Sequence, residues 1–229
     1  MNNKLEPLEL WLPDIKKYIV DVIGYPLTAA GFTFQKSDFS FKRSHGKNFE
    51  EFSIIIANQF PVSYRLGFLL QIWNHEIKTI KAAFPRQSKI ENFKFRGLVL
   101  FMNHFTNKPG LDDQSTPAMD YLLVTNRDLF AAADGVMRLL QEQAIPLADQ
   151  LSELDGVDAF FADRSEWSVN SLNPNNMFSD LVAAKLNRKR DYHLVFGEMM
   201  ERVEQKIQDK EMGPEIKGLT EDFYAYLKK

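Results

Sequence analysis

The sequence predicts an α+β fold: a mostly antiparallel sheet with an N-terminal helix and a helical C-terminal half. Two observations carry this. Apolar residues alternate with polar ones from Phe32 to Thr125, whereas from Asn126 to Lys229 they recur at helical spacing. The strands also come first and the helices afterwards, which is not the regular βαβ alternation a doubly wound parallel sheet requires.

The elements follow in order. Ile15, Tyr18, Ile19, Val22 and Ile23 have the spacing of an amphipathic helix, with Asp14 placed to cap its first turn. Pro26 limits that helix, Leu27 and Ala30 fit a last turn beyond the proline, and Gly31 suits a left-handed cap. In FTFQKSDFSFKR, Phe32 and Phe34, then Phe39 and Phe41, alternate with polar residues around a Lys36-Ser37-Asp38 turn, as in a hairpin. Phe52, Ile54 and Ile56 share one face of the next strand, and Tyr64, Leu66, Phe68, Leu70 and Ile72 one face of the strand after Pro61. Ile77, Ile80, Lys81 and Phe84 make a short helical stripe ended by Pro85.

Phe95 to Phe105 reads as a central strand in which Gly97 allows a bulge, and residues 106–118 as the longest loop. Tyr121 to Val124 form a last strand. Asn126 then caps a helix with the stripe Leu129, Ala133, Val136, Met137 and Leu140. Pro146 starts a brief helix to Leu154, and Val157 to Ala162 form another after Gly156. SLNPNN, residues 171–176, cannot propagate either ladder and divides the chain into an α+β sheet domain, 1–170, and a helical-pair extension packed on it, 171–229. The pair is striped by Phe178, Leu181, Val182 and Leu186, and by Phe196, Met199, Met200, Val203 and Ile207. After Gly213-Pro214, Thr220 to Leu227 make a terminal turn or two.

A chain of 229 residues with 19 Phe beside 7 Tyr and 3 Trp can build a thick aromatic core. The absence of cysteine excludes disulfides, thiolate nucleophiles and cysteine-held metals. With no secretory h-region in the first residues and no run of about 18 apolar residues, a cytoplasmic protein without a membrane span is expected. A formal charge of −3 supplies no overall field for a polyanion.

Neither G-x-G-x-x-G, nor G-x-x-x-x-G-K-[ST], nor G-x-S-x-G occurs, so those nucleotide and hydrolase motifs are missing and no cofactor is expected. The strongest chemical hint is a repeated pair, Asn74-His75-Glu76 and Asn103-His104, each near the end of an apolar strand. Parallel neighbouring strands would bring both imidazoles to one sheet end, where Asp112 and Asp113 could add oxygens for a metal or general-base site. Thr79 stands where H-E-x-x-H needs its second histidine. The competing reading is that these are strand-end residues facing water or capping the next segment. Asp112-Asp113 also reads as a solvated loop pair, and Glu50 and Glu51, adjacent on a strand, point to opposite faces.

Lys185, Arg188, Lys189 and Arg190 form the one dense basic cluster, able to hold phosphate or an acidic protein, or simply to stabilise a helix end. Trp73 and Phe160-Phe161 read as core, whereas polar neighbours suit Trp167 to a recognition surface.

The segment AAGFTFQKSDFSFKR, a helix ending in Gly-Phe followed by Phe-rich strands and an Arg, resembles the start of a bacterial family of uncharacterised α+β domains. The resemblance runs through roughly residues 14–160 and includes helices opened by an Ile-Pro step such as Ile145-Pro146, while the part beyond SLNPNN departs from it. It implies bacterial origin and a fold, and no activity. The leading expectation is a non-catalytic protein that binds another protein, like the immunity or accessory proteins encoded beside bacterial toxins. The alternative is a metal-assisted hydrolase using His75, His104 and Asp112-Asp113, and a third is a phosphate or nucleic-acid contact through Lys185 to Arg190.

Overall fold

The computed structural model describes residues 11–59, 63–85, 98–101, 121–163 and 174–229. The fold is α+β, as the change of period predicts. Residues 106–118, the ends of the Phe95–Phe105 segment and residues 171–173 of SLNPNN lie outside the described residues.

Helix α1 (Leu12–Ala29) buries Ile15, Ile19, Ile23 and Leu27 and runs through Pro26 without ending there. Asp14 lies in its first turn and does not cap it; the N-cap is Trp11, whose side chain makes no capping bond. The end follows the Gly31 expectation. Gly31 has φ +87, its N–H donates to Thr28 O, and the Phe32 N–H reaches back to Leu27 O. That pair of bonds is a Schellman ending, which needs the left-handed conformation glycine adopts without a Cβ clash.

The strands are β1 (Thr33–Gln35), β2 (Ser40–His45), β3 (Asn48–Gln59), β4 (Ser63–Trp73), β5 (Leu98–Phe101) and β6 (Tyr121–Leu123), with helix α2 (His75–Ala82) between β4 and β5. Their order is β1-β2-β3-β4-β5, and β6 also pairs with β4. The β1/β2 pair is antiparallel with Phe34 opposite Phe41, and β4/β6 is antiparallel with Leu66 opposite Tyr121. Phe39 is not a strand residue. It occupies the turn at φ 51, so alternation begins again only at Ser40, and its ring edge meets Phe34 at 6.0 Å. On the expected face of β3, Phe52 and Ile54 are buried, and Phe52 stacks on Phe68 of β4 at 5.5 Å.

Helix α3 (Asn126–Leu139) is capped by Thr125, one residue before the predicted cap. The Asp128 N–H donates to Thr125 Oγ1 and the Thr125 N–H to the Asp128 carboxylate, a reciprocal capping box. A brief α-helix does begin at the Ile145-Pro146 step, as the sequence pattern expects, but no break precedes it and it ends at Leu151. A π-helical turn, Leu140–Ala144, carries α3 straight into α4 (Ile145–Leu151), with the Ile145 N–H bonded five residues back to Leu140 O. The wider turn admits Pro146, which has no N–H to give and whose ring would crowd a regular helix.

The chain groups into two compact units. The first comprises Met1–His45, Phe49–Gln71 and Leu100–Asp149; the second comprises Gly46–Asn48, Ile72–Val99 and Gln150–Lys229. In the second, α5 (Leu154–Asp163), α7 (Tyr192–Gln208), α8 (Glu215–Leu227) and α2 pack on α6 (Pro174–Asn187), whose residues Asn175 to Ala184 are all buried. Its centre is aromatic: Phe178 stacks on Phe223 at 4.2 Å, and Phe84 meets Phe223 edge-on at 5.1 Å. Helix α8 starts at Glu215, directly after Pro214 and earlier than the Thr220 of the sequence pattern. Among the described residues, no helix is long and apolar enough to cross a membrane.

Candidate functional site

The Asn-His pair at the end of β4 has a structural use. Asn74, buried, caps α2 by accepting from the Glu76 and Ile77 N–H groups, and His75 opens the helix with its own N–H donated to Asn48 Oδ1 at 2.8 Å. The His75 and Glu76 side chains are exposed. His104, Asp112, Asp113 and Trp167 lie outside the described residues, within which no group of three or more His, Cys, Asp or Glu could hold a metal ion.

The basic cluster is largely engaged within the chain. Lys185 Nζ donates to Leu227 O and lies 5.9 Å from the Tyr192 ring. Lys189 pairs with Asp155 at 2.8 Å, and Arg190 bridges the buried carboxylates of Asp158 and Asp180 at 2.6 and 2.7 Å. Arg188, at φ 57 in the turn between α6 and α7, is exposed. These contacts favour a helix-end role for three of the four cations.

Glu50 and Glu51 differ in environment: Glu50 is fully inaccessible, while Glu51 is partly exposed and lies 3.5 Å from Lys42. Glu50 faces Arg43, whose Nε donates to Glu50 Oε2 at 3.1 Å. Arg43 Nη1 donates to Ala30 O at 3.0 Å and meets Asp149 at 2.7 Å, and the guanidinium lies 4.5 Å from the centre of the Phe32 ring. Arg43 therefore fastens the end of α1, the Gly31-Phe32 turn and the β2–β3 hairpin together. The Gly-Phe…Arg pattern of the sequence is this clamp. Burial pushes the Glu50 carboxyl above its ordinary range, against the pull of Arg43 and His45. Among the described residues, Arg43 Nη2 and Glu50 Oε1 have no hydrogen-bond partner, a donor and an acceptor that a side-on fork would join.

A second buried charge is Lys81. Its Nζ donates to Asn175 O at 3.1 Å and Ser179 Oγ at 2.9 Å, and burial lowers its pKa to about 7. The unfolded chain, titrating near 10.5, then holds a proton that the folded chain lacks between about pH 7 and 10.5. This contribution makes stability rise with pH across that window, by at most about 1.4 kcal/mol per unit, with no further change below pH 7. Urea unfolding of the wild type and of Lys81→Met at pH 7, 8 and 9 checks it. The rise is expected in the wild type and not in the variant; equal slopes would contradict it.

Among the described residues, the most exposed large apolar side chains are Trp11, 79 % exposed, and Tyr25, 78 % exposed. Tyr25 lies with Tyr18 along one row of α1, seven residues apart, and Trp11, seven residues before Tyr18 in the sequence, is the extended N-cap that precedes the helix. The sequence pattern assigns Tyr18 to the buried stripe, but Ile15, Ile19 and Ile23 fill that face, leaving Tyr18 half-buried at its border. There its ring meets Phe130 of α3, itself 49 % exposed, in an edge contact at 5.4 Å. The repeated aromatic at i, i+7 and i+14 was the signal that could have found this row.

No family model matches this chain, and neither does a curated protein or a solved structure.

Proposed function

We propose that this is a non-catalytic protein that binds another protein, an accessory or immunity-like component acting in the bacterial cytoplasm. The observation that supports it best is the exposure of Trp11 and Tyr25 at and along α1, with the half-buried Tyr18 and its edge contact to Phe130 beside them. Large exposed rings bring much contact area and lose little side-chain freedom on binding, which is why Trp and Tyr dominate the energetics of interfaces. The bacterial setting rests on the resemblance carried by AAGFTFQKSDFSFKR.

The test is recovery of partners by the tagged chain from its source cell, beside a Trp11→Ser/Tyr25→Ser/Phe130→Ser variant with an unchanged melting curve. One partner near equimolar yield, lost from the variant, is the expected result, since each buried aromatic anchor carries about 2 kcal/mol or more. No stable protein partner, together with a monomer in solution, overturns the reading.

A further inference from the structure

Residues 14, 18, 21 and 25 of α1 are Asp, Tyr, Asp and Tyr, and their steps of four and three are those of the seam along which two helices coil; Trp11, the N-cap just before the helix, stands three residues ahead of Asp14. Tyr18 and Tyr25 occupy one position of that seam and the aspartates the other. Asp14 and Asp21 are exposed, and neither carboxylate has a partner among the described residues. Phe130 of α3 stands against Tyr18 and walls one side of the row.

We infer that this row docks a helix of the partner protein that carries Arg or Lys seven residues apart; the inference rests on the protein-binding reading. A second helix is the element whose side chains recur at the period of the row, so each of its knobs can enter a hole on α1. Repeats of seven residues lie about 10 Å apart along the axis, and the two aspartates share that spacing with the rings. A cation entering there pairs with a carboxylate and lies over an adjacent ring face, gaining from both. Lys17, also exposed, flanks the row on its other side, so the local charge of Asp14, Lys17 and Asp21 is acidic by one unit. A second copy of this chain would bring the same acids to the seam, and an anionic lipid surface would be repelled by them.

A display library of helical peptides, panned on the full chain, tests the inference. The wild type is expected to enrich helices with basic residues seven apart beside apolar ones. Enrichment should fall tenfold or more on Asp14→Asn/Asp21→Asn, and also at 0.5 M salt. A Glu198→Gln/Glu201→Gln control, which removes the same charge from exposed sites on α7, should retain it. No enriched helix, enriched helices without the basic pattern, equal loss on the control, or a wild-type dimer dissociated by Trp11→Ser each overturns the inference. A cellular partner captured equally by wild type and Asp14→Asn/Asp21→Asn removes this docking mode and leaves protein binding standing. Absence of any cellular partner removes the broader reading instead.

Discussion

A Gly156→Ala variant is expected to lose on the order of 3 kcal/mol of stability, or not to accumulate folded. Gly156 lies in the first turn of α5, where a Cβ would stand 1.7 Å from the backbone carbonyl oxygen of Gln150 and 2.7 Å from its carbon. A flexible side chain could swing away; a backbone carbonyl at the end of α4 cannot without moving that helix. Gly218→Ala in α8 is the matched control, because its Cβ would meet nothing within 4 Å. There the change is expected to stabilise by about 0.5–1 kcal/mol, since alanine forfeits less freedom in a helix than glycine does. Urea midpoints of the two variants should move in opposite directions, and parallel shifts would contradict the account of Gly156.

Arg43→Met is expected to cost about 3–5 kcal/mol. It leaves the inaccessible Glu50 without its counter-charge and removes the donor to Ala30 O. The pH dependence has a definite sign. Because burial already raises the folded pKa of Glu50, the contribution of this group is fully present below its unfolded value near 4.5 and is lost as pH rises through the folded value. Without Arg43 the folded value climbs further, so the deficit relative to wild type should be larger at pH 8 than at pH 5. Glu50→Gln added to Arg43→Met removes the stranded charge and should recover much of the loss. A double variant no more stable than the single one would assign the cost to packing on Phe32 instead.

Much of the fold was legible because a half-buried sheet imposes a period of two and a helix packed on one side imposes one of 3.6. Ile15, Ile19 and Ile23, Phe52 and Ile54, and Leu66 to Ile72 are buried where those periods place them. What escaped was set by local chemistry that the period does not register. Phe39 fits a strand by its apolar type and spacing, yet it stands in the turn at positive φ. The Ile145-Pro146 step marks the start of α4, but nothing in the period shows the π turn that joins it to α3 without a break.

The candidate site was less legible, and for a different reason. Chemistry-bearing residues attract notice by type, but their roles depend on partners distant in sequence. Lys81, part of an apolar stripe, is held by Asn175 and Ser179; Arg190, part of a basic run, is held by Asp158 and Asp180. The aromatic surface of α1 is hidden for the converse reason, since Tyr18, beside an isoleucine stripe, looks like more core.

The most direct test of protein binding through α1 is photo-crosslinking in the source cell, with a photoreactive amino acid in place of Tyr25 and, separately, in place of Glu198 on α7. A single protein adduct formed from position 25 and not from position 198 is the expected result. No adduct from position 25, or the same adduct from both positions, would contradict it.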